Sequence, residues 1–123
     1  MIRAAVFDLW NTLVHSRGKD PYQHLHGMMT EAQRAHFPAL KRDAMVQAHA
    51  GREAFLARWE ARLELDAAQR EAMAGVFSEA ARDAECFPEA LDALDRTRQL
   101  ARLGLLSNTQ SFDMDFLERL GLA

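Results

Sequence analysis

Between Ile2 and Val14 the sequence reads IRAAVFDLWNTLV, and a single acidic residue, Asp8, closes the apolar run Ala4-Ala5-Val6-Phe7. Unbroken apolar character over so few residues predicts a short strand of a parallel sheet, covered on both faces. A half-solvated strand would instead alternate with period two. Leu9 to Thr12 then form the loop leaving its carboxyl end. In open α/β sheets the ligand crevice lies outside the carboxyl ends of the strands, which places Asp8 at the mouth of a site. A carboxylate there is a nucleophile, a metal ligand or simply the cap of the following turn.

The 123 residues suffice for one modest domain or a small core with an insertion. With 49% hydrophobic and 27% charged residues the chain has the balance of a folded globular protein rather than a disordered one. A formal net charge of −3 provides no broad positive field, so neither nucleic acid nor an anionic membrane surface is an expected partner. The lone cysteine, Cys86, cannot build an internal disulfide framework, and its neighbours Glu85 and Phe87 favour the thiol over the thiolate. No apolar stretch approaches the ~20 residues of a membrane span, and no signal-peptide pattern opens the sequence. The expected location is the cytoplasm.

After the polar stretch His15 to Asp20, Asp20-Pro21 reads as an N-cap followed by proline at the first helical position. Tyr22, Leu25, Met28 or Met29, and Ala32 continue at helical spacing, with a stop expected before Phe37-Pro38. A second helix is predicted from about Ala39 to Ala50, ended by Gly51. A third carries Phe55, Leu56, Trp59 and Leu63 as one stripe. Asp66 caps a fourth, with Met73, Val76, Phe77, Ala80 and Ala84 on one face. Phe87-Pro88-Glu89 then starts a helix bearing Leu91, Leu94 and Leu100, followed by a strand near Ala101 to Leu106. Ser111 is the expected N-cap of a last helix with Phe112, Phe116, Leu117 and Leu120, stopped by Gly121.

Two stretches taken together, Asp8-Leu9-Trp10-Asn11-Thr12 and Gly104-Leu105-Leu106-Ser107-Asn108-Thr109, resemble the first and second motifs of the haloacid dehalogenase (HAD)-like superfamily of hydrolases. The resemblance implies an α/β fold: a Rossmann-like parallel-sheet core from residues 1–16 and 86–123, with a four-helix cap, residues 17–85, inserted between them. Such caps exclude water from the crevice and shape the substrate pocket.

The resemblance also implies a mechanism. Asp8 attacks the phosphoryl group of a small phosphorylated metabolite, and Mg2+ is held by Asp8 and the backbone carbonyl of Trp10. Thr12 and Ser107 donate hydroxyl hydrogen bonds, and the Asn108 amide steadies the crevice side of its strand. Read without the resemblance, a Ser or Thr at a strand end is a turn-maker bonding nearby backbone. Trp10 departs from the phosphatase pattern, where an Asp at this position protonates the leaving group. An aromatic residue there matches the metal-free branch that attacks an alkyl carbon and displaces halide, so 2-haloacid dehalogenation is the alternative.

The family's third motif, a lysine, and its fourth, an acidic pair, are not found after Asn108, and the only lysines, Lys19 and Lys41, fall outside core strands. Weak Mg2+ binding and poor catalysis are the expectation. So is an incomplete sheet, in a fragment or assembly subunit covered by a second copy or a complementary chain. His24 and His26, two residues apart on a helix, point to different faces and exclude a shared zinc ion. His15 and Arg17 lie beside the expected crevice as candidate contacts for an anionic substrate, or as solvated loop charge.

Overall fold

The structure is a computed structural model that describes residues 1–47, 50–108 and 114–123. It is a mixed α/β chain. Strand β1 (Ala4–Phe7) is followed by β2 (Val14–Ser16), then by helices α1 (Pro21–Met28), α2 (Glu31–Val46), α3 (Arg52–Leu63) and α4 (Ala67–Arg82). The chain continues through β3 (Ala84–Cys86), α5 (Ala90–Arg98), β4 (Arg102–Leu105) and the short α6 (Phe116–Arg119). Among the described residues, β1 and β4 form one parallel pair, and β2 and β3 a separate antiparallel one.

The parallel sheet is therefore two strands wide among the described residues, not the larger sheet of a Rossmann-like core. The expectation that β1 is covered on both faces is also corrected, because Val6 is 65% exposed. With only one neighbouring strand and apolar partners on one side, Ala5 and Phe7 are half-buried while Ala4 and Val6 face outward. Ile2 and Leu106 are exposed as well.

Two apolar clusters divide the packing. One runs from Tyr22 to Phe77 and joins α1 to α4 around Phe55, Trp59 and Met73. The other joins Leu9, Leu13, Val14, Ala81, Ala84, Ala90, Leu94 and Phe116. The β2–β3 ribbon, absent from the sequence reading, lies where the chain passes between them. Val14 pairs with Cys86, His15 with Glu85 and Ser16 with Ala84. Glu85, expected at the end of the helical segment, thus sits inside a strand, and the helices themselves stop at Arg82.

Asp20 caps α1 by accepting from Gln23 N, with Pro21 at the first helical position, as the sequence suggested. The first helix ends at Met28 instead of continuing through Ala32 to a stop before Phe37-Pro38, because Thr30 and Gln33 form a capping box that starts α2. That helix runs through Phe37-Pro38, where a stop was expected. A proline inside a helix costs about 3 kcal/mol. Here the turn that contains it buries Phe37, Leu40 and Ala44 on one face, and burial of a Phe or Leu side chain stabilises by about 1.5–3 kcal/mol each. Tertiary packing outweighs the local penalty. Gly51, expected to end the second helix, instead precedes α3, and α2 ends at Val46.

Asp66 and Gln69 build a second capping box at the start of α4. The two capping glutamines meet: Gln33 Nε2 donates to Gln69 Oε1 and Gln69 Nε2 to Gln33 Oε1, at 3.1 and 2.9 Å. Each also donates to the orphan carbonyl of another helix, Gln33 to Leu63 O and Gln69 to Met28 O. One amide pair thereby closes ends of all four helices.

In α5, Ala90 and Leu94 are buried, whereas Leu91 and Leu100, expected on the same face, are 43% and 83% exposed. The helix ends at Arg98, so the stripe is too short to reach Leu100. Gly121 follows α6 at φ +73, a left-handed position suited to glycine. The expected caps and contacts at Ser111 and Phe112 lie outside the described residues.

Two outcomes are expected. Gln69→Ala removes the amide that accepts from Asp66 N, donates to Met28 O and makes two bonds with Gln33, while Gln33 keeps Thr30 N and Leu63 O, so urea unfolding should show a loss of about 1–3 kcal/mol. Tyr22, the only tyrosine, is held well above the usual phenol range, first by burial and then by the Asp20 carboxylate. Its stabilising contribution is complete below the unfolded value of about 10 and is lost as pH rises above it, since the unfolded chain then releases a proton the folded chain keeps. In an alkaline titration, phenolate absorbance should appear together with loss of helical circular dichroism, not before it.

Candidate functional site

The turn after β1 fixes the candidate site. Leu9 is completely buried, and its carbonyl accepts from the backbone N–H of Thr12, Leu13 and Val14 at 3.4, 2.9 and 3.0 Å. Asn11 N donates to Val14 O at 2.7 Å, which closes the turn from the other side. Asn11 adopts φ 61, a left-handed conformation that asparagine tolerates better than most residues. With Leu9 pointing inward, its neighbour Asp8 is turned to solvent.

Thr12 Oγ1 donates to Asp8 Oδ2 at 2.9 Å. This bond engages one carboxylate oxygen. It also combines both readings of the pair, since the same contact stabilises the turn and orients the acid.

On the neighbouring strand, Phe7 is in register with Leu105, and Leu106 N donates to Phe7 O at 2.9 Å. Parallel pairing therefore puts Asp8 and Ser107 just beyond the same, carboxyl ends of adjacent strands. The Ser107 hydroxyl is buried and has no hydrogen-bond partner among the described residues. An orphaned buried hydroxyl costs about 1–3 kcal/mol, and an oxygen acceptor arriving from outside would relieve that cost. Asn108 is exposed beside it.

Trp10 leaves the turn in the opposite sense, half-buried, with its ring centroid 5.7 Å from that of Phe116. Nothing in the sequence signalled Phe116 as its neighbour, because the two lie far apart in the chain. His15 stacks on Phe87 at 4.8 Å, and Arg17 pairs with Glu85 at 3.0 Å. His15 belongs to the β2–β3 ribbon, and Arg17 directly follows β2. Cys86 is half-buried, and burial pushes its thiol up while the Arg119 guanidinium pulls it down. The Lys41 ammonium stands 5.1 Å over the Tyr22 ring, within the helical cluster.

A resident Mg2+ requires near-octahedral oxygen coordination. The expected donors, Asp8 and the Trp10 carbonyl, supply at most a carboxylate already engaged by Thr12 and one backbone oxygen. Among the described residues no three His, Cys, Asp or Glu side chains are grouped as metal ligands. This donor set does not fit a resident Mg2+. A groove of about 500 Å³ lies elsewhere, between α5 and β4, lined by Phe7, Leu13, Leu94, Leu103, Leu105 and Leu122. Its walls carry neither Asp8 nor Ser107.

No helix among the described residues is long and apolar enough to cross a membrane. Mg2+ added alone is expected to leave the Asp8 carboxyl resonance without a saturable shift, measured by carbon-detected NMR over a metal titration. No protein-family model matches the sequence, and no curated protein matches it significantly.

Proposed function

We propose that this chain carries the nucleophile of a HAD-like hydrolase acting on a small anionic substrate, with Asp8 as the attacking group. The observation that carries the reading is the Thr12 Oγ1 to Asp8 Oδ2 hydrogen bond. It holds an exposed carboxylate by one oxygen at the carboxyl end of β1 and leaves Oδ1 for attack. The Ser107 hydroxyl, beyond the end of the paired strand and without a hydrogen-bond partner among the described residues, supports it as a donor to substrate oxygen.

In the first reading the electrophile is the phosphoryl group of a small phosphorylated metabolite. Asp8 Oδ1 bonds to phosphorus, the bond to the ester oxygen breaks, and the departing alkoxide takes a proton from water. Water then attacks the aspartyl phosphate, releasing phosphate and restoring the carboxylate. The Trp10 indole N–H is far too weak an acid to protonate the leaving group, and the carboxylate meets a phosphate of like charge. Both features make this reaction slow in the isolated chain.

The aromatic residue at position 10, whose ring lies against Phe116, is the feature behind a second reading, attack on an alkyl halide. Asp8 Oδ1 bonds to the halogen-bearing carbon of a 2-haloacid and halide leaves without needing a proton. Water hydrolyses the resulting ester to the 2-hydroxy acid, returning Asp8 and releasing a proton. The helical segment, carried on the ribbon that starts at Val14, serves as the lid in either case.

Turnover of an aryl phosphate with Mg2+, and of a 2-haloacid without it, separates the readings when the chain is compared with Asp8→Asn. We expect slow turnover of one substrate, lost by ~10²-fold or more in Asp8→Asn. Equal rates in both proteins would remove Asp8 from the chemistry and leave a catalytically impaired assembly subunit as the surviving reading.

A further inference from the structure

The shortest helix makes contacts out of proportion to its length. From α6, Arg119 Nη2 donates to the carbonyls of Ala81, Arg82 and Ala84 at 3.1, 3.1 and 3.3 Å, and Nη1 reaches Ala84 O at 3.4 Å. These acceptors lie at the last turn of α4 and the first residue of β3, where the chain leaves the helical segment. A cation belongs there, since the last carbonyls of a helix carry its negative pole, and Ala81 O, which already accepts from Asp83 N, has a second lone pair to offer. One turn earlier on α6, buried Phe116 packs on Trp10, next to Asp8 and Thr12 in the turn. The residue after α6, Leu120, receives the Cys86 thiol at 3.8 Å.

We propose that α6 is a strap coupling the helical segment to the Trp10 turn, with Arg119 gripping the end of α4 while Phe116 holds the Trp10 ring. Among the described residues the segment is also tied to the rest of the chain by the ribbon, by its flanking bonds, Arg17 N to Asp83 O and Phe87 N to Leu13 O, and by Ala81 of α4, which is buried in one cluster with Leu9, Leu13 and Phe116. A ribbon of three residue pairs permits bending and twisting; a guanidinium forked across the carbonyls of Ala81, Arg82 and Ala84 opposes both. A tilt of the segment pulls on Arg119, and α6 transmits it to Trp10. The coupling does not depend on what Asp8 attacks.

The chain holds one cysteine and two tryptophans, which are sufficient reporters. Alkylation of Cys86 by iodoacetamide reads the cover over the ribbon. Acrylamide quenching reads Trp10, because Trp59 is 1% exposed and shielded. In Arg119→Ala the alkylation rate per thiolate should rise roughly tenfold, the equivalent of one charge-assisted hydrogen bond, and Trp10 quenching should rise with it. Loss of the arginine charge acts in the opposite sense on the thiolate fraction, so a faster raw rate cannot come from electrostatics. Phe116→Leu, which leaves Arg119 in place, should likewise speed Cys86 alkylation from the other end of the strap. Faster alkylation in Arg119→Ala with unchanged Trp10 quenching would overturn the coupling, as would wild-type values of both in a variant with wild-type circular dichroism. If Arg119→Ala does not fold, Phe116→Leu decides: a wild-type Cys86 rate there overturns the proposal.

Discussion

Leu9 is the residue on which the candidate site turns. Its side chain is sealed in the smaller apolar cluster while its carbonyl takes three successive backbone donors, so it cannot move without breaking the turn. The consequences run both ways along the chain. Asp8, with its amide side joined to Phe7 in the sheet and its carbonyl side to buried Leu9, is forced outward, and Trp10 is directed back toward Phe116. The exposure of the acid therefore follows from the burial of the residue next to it.

The helical segment is governed by a different economy. Its aromatic core, Tyr22, Phe37, Phe55, Trp59 and Phe77, forms a chain of tilted and edge-on ring contacts with centroids 5.3 to 6.4 Å apart. Aromatic pairs prefer such offset and T-shaped arrangements. Apolar packing alone leaves sliding of one helix along another cheap. The Gln33–Gln69 pair fixes the register, because four donors and acceptors must be met at once and a shifted helix would strand them in a partly buried place.

What the sequence revealed and what it hid divide along the range of the forces involved. Asp20-Pro21 and Asp66 announce helix starts by local chemistry, and the stripe Phe55, Trp59, Leu63 announces a buried face by period; both are features of neighbouring residues. The placement of Asp8 after a strand and of Ser107 after a second one was legible for the same reason. Thr30-x-x-Gln33 was a capping box in plain view, but Ala32 continued the apolar spacing and masked it. Pro38 misled because its local penalty was weighed without the tertiary burial of Phe37 and Leu40. The ribbon strands are three residues each and half polar, too short for any period to register. Contacts such as Trp10 with Phe116, or Arg119 with the end of α4, join residues that no pattern of spacing connects.

The antiparallel pairing of Val14–Ser16 with Ala84–Cys86 sets the entrance and exit of the helical excursion side by side. A loop whose ends are already clamped adds little further entropy cost when it lengthens, about 0.6 kcal/mol for each doubling. The excursion is thus a cassette: its length and content can change without altering the register of Ala4 with Arg102 or of Phe7 with Leu105. It also suggests an order of assembly, because β1 can find β4 cheaply only after the intervening residues have condensed and brought the ends of the excursion together. Substitutions that slow the closing of the helices would then delay the formation of the turn at Asp8, although none of them lies near it.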